Sequence, residues 1–249
     1  MSGKFTRLVL LPVTGFALGF GYFVKPWHLD EASLQTLHRP LHDQRTDILD
    51  KLRQTEWVRK LKESSAYVMH RQSEKVPPPH RDYHVGQGLL YGPSKLEIDP
   101  VVFSDDENHK IHVIYHLGQN LSNEKGAVHK GVLALLLDEA LCYCGFPTLP
   151  SKRGVTAALD ISFVKDVPVD STIVLNAQVV ENKGRKCIIK GTLESPPIDS
   201  TTTLGSMKYW IAKSVPKWAY NPQPTIYATA TCILVEPKWF KYVSWINIF

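Results

Sequence analysis

Between Gly131 and Phe146 the chain reads GVLALLLDEALCYCGF, a helical stretch that is apolar nearly all round. Such a helix has no face to give to water, so most of its length must be enclosed. Gly145 and Pro147 mark its end. The segments around it alternate with a period of two. Ile111, Val113, Tyr115 and Leu117 alternate, as do Val155, Ala157, Leu159, Ile161 and Phe163, and Ile173, Leu175, Ala177 and Val179. Cys187–Leu193 and Tyr227–Val235 complete the set, and Asn182-Lys-Gly-Arg between two of the runs reads as a hairpin turn. Period-two alternation predicts antiparallel strands with one face covered. One strand, a buried helix and four more strands predict an α+β architecture, a curved antiparallel sheet wrapped around a central helix.

A second apolar run stands at the start of the chain. Leu8 to Val24 carries no charge over 17 residues, the short end of the range for a spanning helix. Lys4 and Arg7 precede it, Lys25 follows it, and Tyr22 and Trp27 stand where interfacial aromatics belong. Gly15 and Gly19 form a GxxxG pair, which lets two such helices approach closely. A cleaved secretory signal and a buried core helix compete with a membrane anchor. No A-x-A site follows the run and no polar face accompanies it, so the expectation is an anchor at residues 8–24. The first acidic residue is Asp30, and an acid-free basic N-terminus is similar to a mitochondrial import signal. The expected location is a mitochondrial membrane, the inner one.

Residues 29–75 read as helical. Leu34, Leu37 and Leu41 recur at helical spacing with Pro40 as an interruption, and Ile48, Leu49, Leu52, Trp57, Val58 and Leu61 form an amphipathic stretch up to Glu63. Lys75-Val-Pro-Pro-Pro-His-Arg reads as a stiff linker. Pro196-Pro197, Trp210, Trp218 and Tyr220 mark an excursion between strands over 196–224. The expected organisation is an anchor at 1–28, a helical lead-in and linker at 29–85, the sheet-and-helix domain at 86–236 and an aromatic tail at 237–249.

With 249 residues, 43% apolar and 21% charged, the chain is globular in composition. A net charge of +5 fits an anionic ligand, an anionic membrane surface or ordinary solubility. No block of like charge is long enough to point to nucleic acid. The four cysteines lack zinc spacing, Cys142-Tyr-Cys144 is not a CxxC, and the ten histidines contain no HExxH. No metal and no cofactor is expected, and the thiols are expected to act as small buried apolar groups.

Asp138 and Glu139 interrupt the apolar helix. An ionised carboxylate is costly to bury alone. Neighbours on a helix point about 100° apart, so one of the two must reach an edge, a partner group or a second subunit. Structural acceptors at a subunit boundary stand beside the catalytic reading. Upstream, Asn123-Glu-Lys-Gly-Ala-Val-His129-Lys130-Gly131 ends where the helix begins, and free N–H groups there can polarise a carbonyl. His129 and Asp138 lie nine residues apart, half a turn out of phase. One helix cannot aim both at one substrate; two helices side by side can, which argues for a dimer with composite sites.

His129-Lys-Gly-Val-Leu-Ala-Leu-Leu-Leu-Asp138 resembles the HGGxxxxLxD helix signature of hotdog-fold acyl-CoA thioesterases of the PaaI-like type. Gly154-Val-Thr-Ala-Ala-Leu-Asp-Ile-Ser-Phe163, with Pro168, is similar to that family's next strand, and Lys183-Gly-Arg-Lys186 to a basic turn of its eukaryotic members. His116-Leu-Gly, Val128-His and Leu137-Asp-Glu are most similar to the fungal mitochondrial branch. The resemblance covers residues 86–236. It implies a hotdog fold, hydrolysis of acyl-CoA and a homodimer or dimer of dimers. It further implies that Asp138 is the nucleophile or general base and that Asn123 holds the thioester or water. The Lys130 N–H, directly after His129, supplies the oxyanion donor, Thr156 positions water, and Gly131 is a substrate-binding position. Lys183, Arg185 and Lys186 form either a site for CoA phosphates or a solvated turn. The family has glycine where this chain has Lys130, whose side chain either assists the oxyanion or blocks the pocket. Two functions follow: a thioesterase, or a non-catalytic hotdog protein that binds acyl groups or membrane partners.

Overall fold

The computed structural model describes residues 11–24, 44–76, 84–197 and 223–240. Leu34, Leu37, Pro40, Leu41, the prolines at 77–79, most of the excursion and the end of the tail lie outside the described residues. Helix α1, Leu11–Val24, belongs to a separate, smaller unit of the chain and contains no charged residue. Its side chains from 12 to 19 are exposed. At ~1.5 Å per residue its 14 residues span about 21 Å.

In the larger unit seven strands form one sheet in the order β1-β2-β3-β5-β6-β7-β4, antiparallel throughout. The strands are β1 Val68–Arg71, β2 Val101–Asp105, β3 Lys110–Leu117, β4 Val155–Phe163, β5 Ser171–Lys183, β6 Lys186–Glu194 and β7 Ile226–Val235. Five of these follow the period-two pattern; β1 and β2 do not and were not expected. All five residues of β2 are buried, and a strand covered on both faces loses the alternation that would reveal it. β1 has only four residues and falls inside a stretch expected to be helical. The lead-in is helical over α2, Thr46–Gln54, and α3, Glu56–Glu63, and then turns into the sheet.

The core helix α4, Lys130–Gly145, lies against the concave face. Leu133, Leu136, Leu137, Ala140 and Leu141 are buried with Ile173, Leu175, Ile189, Leu193 and Leu234. Fully burying one such side chain contributes about 1.5–3 kcal/mol. Glycine sets the approach distance: a Cβ on Gly145 would stand 2.7 Å from Leu234, and one on Gly191 2.8 Å from Leu141. Lys130–Thr148 is long and apolar enough to cross a membrane, yet its apolar side chains are the core of this domain.

On the convex face, Ile48, Leu49, Leu52 and Val58 pack against Ile98, Val101, Phe103 and Ile114. The lead-in helices therefore cover β2 and β3 from outside. Beyond them the convex face is polar and carries a groove of about 790 Å³ lined in part by His112, Asn176, Lys190 and Thr231. β4 is the opposite rim. Among the described residues it pairs with β7 on one side only, and Val155, Thr156, Ala157, Ala158, Asp160 and Ser162 are exposed. The two ends of the excursion are tied together: Ser195 N–H donates to the Thr225 carbonyl at 2.9 Å, and Thr225 N–H to Ser195 Oγ at 2.9 Å.

Candidate active site

Asp138 sits in the middle of the core helix and points to the rim strand. Thr156 Oγ1 donates to Asp138 Oδ1 at 3.0 Å. The register of β4 against β7 shifts between Thr156 and Ala158, and a shift of that kind re-aims a side chain at a sheet edge. Cys142, one turn after Asp138, brings its Sγ to 3.2 Å from Thr156 Oγ1 and 3.8 Å from Asp138 Oδ1. Cys144, Cys187 and Cys232 are buried, as expected, but Cys142 is only half-buried and stands beside the carboxylate. The thiol of Cys232 hydrogen-bonds that of Cys142 and holds it below the usual thiol range, while the same bond, with burial, holds Cys232 far above it. The signal for Cys142 was its i,i+4 spacing from Asp138.

Glu139 turns the other way. Its Oε1 accepts from Gly86 N–H at 3.2 Å and lies 3.5 Å from His84 Nδ1; its Oε2 accepts from Gln72 Nε2 at 3.4 Å. Glycine at 86 leaves room for this carboxylate, since a Cβ there would stand 2.5 Å from Glu139 Oε2 and push it aside. Burial raises the Glu139 carboxyl above the usual carboxylate range. Of the two adjacent acids, one is tied into its own chain and the other faces the open rim.

At the helix start, His129 Nδ1 accepts from Gly131 N–H at 3.0 Å, so the imidazole caps the helix. The Lys130 N–H belongs to the first turn, where no intrahelical acceptor exists. The Lys130 ammonium lies 5.4 Å from the centre of the Phe163 ring, a cation–π contact with the far end of β4. Asn123 shapes the preceding loop: its Oδ1 accepts from Lys125 N–H at 2.8 Å and Ala127 N–H at 3.2 Å. One chain brings Asp138 and Thr156 together. It places Lys130 at the Phe163 end of β4, away from the Val155 end that holds Thr156.

The basic turn closes the β5–β6 hairpin through Gly184, at φ +59°. Lys183 pairs with Glu181 at 3.0 Å, and Arg185 Nη1 donates to the Glu236 carbonyl at 3.0 Å. Arg185 is thus engaged in holding the end of β7. Lys186 pairs with Val235, and Val235 with Val155. The turn therefore lies at the Thr156 end of the sheet, two strand spacings or about 10 Å across from β4.

A family model of the thioesterase superfamily matches residues 125–198, from the loop before the helix through β6. Over 261 aligned residues the chain is 48% identical to "MIOREX complex component 3" of Saccharomyces cerevisiae, covering 98% of this chain and 95% of that one. The chain belongs to the thioesterase superfamily. This superfamily chain is also 37% identical to "Uncharacterized protein, mitochondrial" of Candida albicans, over 95% and 96% of the two lengths. "Acyl-coenzyme A thioesterase THEM4" of Rattus norvegicus is 28% identical over 53% of this chain and 52% of its own. The hotdog resemblance read from residues 86–236 agrees with the superfamily match and with the antiparallel sheet around α4.

Proposed function

We propose that the chain hydrolyses acyl-CoA thioesters at two composite sites of a homodimer held at a mitochondrial membrane. The observation that carries the reading is the pairing of Asp138 with Thr156 on an unpaired rim strand. An exposed strand edge is a template for a second strand. When two β4 strands pair antiparallel about a two-fold axis, the Phe163 end of one lies along the Val155 end of the other. Lys130 of each subunit then approaches Asp138 and Thr156 of its mate, in keeping with the out-of-phase spacing of His129 and Asp138 on the helix. In this site Asp138 acts on water or the thioester carbon, Thr156 holds its carboxylate in place, and the mate's Lys130 N–H stabilises the oxyanion. The amide NH2 of the mate's Asn123 is left to face the substrate, since its oxygen is engaged in the loop. Lys130 leans onto Phe163, which supports a pocket that its side chain does not fill. Lys183 and Lys186 lie at the Thr156 end of the sheet, where phosphate groups of CoA can be met.

The mitochondrial part rests on the name of the 37% identical relative from Candida albicans and on the basic, acid-free stretch before Asp30. The membrane part rests on the uncharged helix α1 and its exposed side chains. Incubating the purified protein with a chain-length series of acyl-CoAs, against its Asp138→Asn variant, tests the activity. Release of CoA by the parent and not by the variant is the expected result.

A second reading, a non-catalytic component of a larger complex, is favoured by the name of the 48% identical relative and by lysine in place of the signature glycine. It takes over if the parent binds acyl-CoA and hydrolyses none of the series.

A further inference from the structure

The mechanism above leaves two sulfur atoms beside its carboxylate without a task. Asp138 Oδ1, Cys142 Sγ and Cys232 Sγ all lie within 4.8 Å of one another. They come from two elements, the core helix and β7, and the 89 residues between Cys142 and Cys232 hide the grouping from any spacing rule. A tetrahedral zinc ion with bonds of about 2.3 Å to sulfur and about 2.0–2.2 Å to oxygen places a sulfur and an oxygen ligand roughly 3.5 Å apart. Asp138 Oδ1 and Cys142 Sγ stand 3.8 Å apart, so an ion requires a shift of only a few tenths of an ångström. Thr156 Oγ1, 3.0 Å from Asp138 Oδ1 and 3.2 Å from Cys142 Sγ, stands at the fourth corner and leaves room there for its own oxygen or for water.

We propose that Asp138, Cys142 and Cys232 form a binding site for a soft divalent cation of the zinc type, and that its occupancy removes Asp138 from hydrolysis. The ligand set selects the metal: two thiolates and one carboxylate favour zinc over magnesium or calcium. Binding releases the two thiol protons, and the two thiolates and the carboxylate leave the loaded site with one net negative charge. Helix, rim strand and β7 hold the donors on regular structure rather than on a loop. The Glu97, His116 and Asp170 cluster is a poorer site, because the Arg45 guanidinium already lies 3.3 Å from Glu97 and 3.7 Å from Asp170.

The effect on hydrolysis rests on the proposed function; the binding does not, and the experiment separates them. Cobalt(II) titrated into the reduced full-length protein is expected to give one equivalent of a thiolate-to-metal charge-transfer band, and zinc is expected to bleach it. Cys142→Ser and Cys232→Ala should each abolish the band, Cys187→Ala should keep it, and Asp138→Asn should keep it with affinity lower by at least about tenfold. Circular dichroism confirms that each variant is folded. A folded parent without the band, or a band that survives both Cys142→Ser and Cys232→Ala, overturns the site. Where the parent hydrolyses acyl-CoA, zinc should stop it and a chelator should restore it; hydrolysis unchanged by saturating zinc overturns the link to catalysis. A cobalt band in a protein that hydrolyses nothing upholds the site and removes the thioesterase reading instead.

Discussion

Thr156 Oγ1 and Asp138 Oδ1 meet at 3.0 Å, joining the middle of the core helix to the rim of the sheet. The bond fixes one carboxylate oxygen and leaves the other lone pairs to work on whatever enters from the open side. A hydrogen bond to a charged acceptor contributes about 1.5–3 kcal/mol, enough to hold one rotamer.

Asp138→Asn retains the shape of that side chain and removes the base. Turnover of acyl-CoA should fall on the order of 10²-fold or more, whereas Glu139→Gln should leave most of it. Thr156→Val should fall between, at about a tenfold loss for one charged hydrogen bond. Steady-state CoA release measures all three. Equal rates for Asp138→Asn and the parent would falsify the mechanism.

Glu139 predicts a pH dependence of stability. Burial raises its carboxyl in the folded chain, so the folded state binds that proton more tightly than the unfolded state. Stability from this group is present at low pH and is lost as pH rises through the raised value. Relative to the parent, Glu139→Gln should therefore gain in melting temperature as pH rises from about 4.3, the ordinary glutamate value, toward neutrality. Thermal melts of the two proteins across that window decide it, and a difference that shrinks with rising pH reverses the sign and sinks the assignment.

The rim strand predicts the assembly. Ala158→Lys sets a charge on the exposed edge, a device that blocks strand pairing. Light scattering should find the parent as a dimer and the variant as a monomer that has lost hydrolysis. A dimer of unchanged mass in the variant would place the interface elsewhere.

The basic turn splits into two roles. Lys183→Gln with Lys186→Gln should raise KM more than it lowers kcat if these ammonium groups meet phosphate rather than the reacting atoms. Arg185→Ala should instead cost about 1 kcal/mol of stability, since its guanidinium holds the Glu236 carbonyl. Kinetics on the first pair and chemical denaturation of the second test this; an unchanged KM in the double variant removes the phosphate role.

The helix and five strands were legible because each shows a clean period: apolar all round for residues 131–146, alternating for the strands. β2 was not, because Phe103 packs outward against α2 and α3 while Val102 packs inward, and both faces look alike in sequence. At the site, the signature resemblance pointed to Asp138 and Thr156, and the structure brings those two together. Nothing in the pattern told which of Asp138 and Glu139 would face the rim. That depends on Gly86, His84 and Gln72, more than fifty residues away in sequence, arriving to meet Glu139. His129 and Asp138 lie on opposite faces of the core helix for the geometric reason already visible in their spacing.

The two rims of the sheet are unequal. β1, at one end, offers four residues, while β4, at the other, offers nine. A ribbon with two long rims can add copies without limit and grow into a fibre. This one can extend far in a single direction, and in the proposed dimer, where two chains meet there by a two-fold axis, both long rims would be consumed. In that dimer the short first strand would act as a terminator, holding the count of the assembly at two.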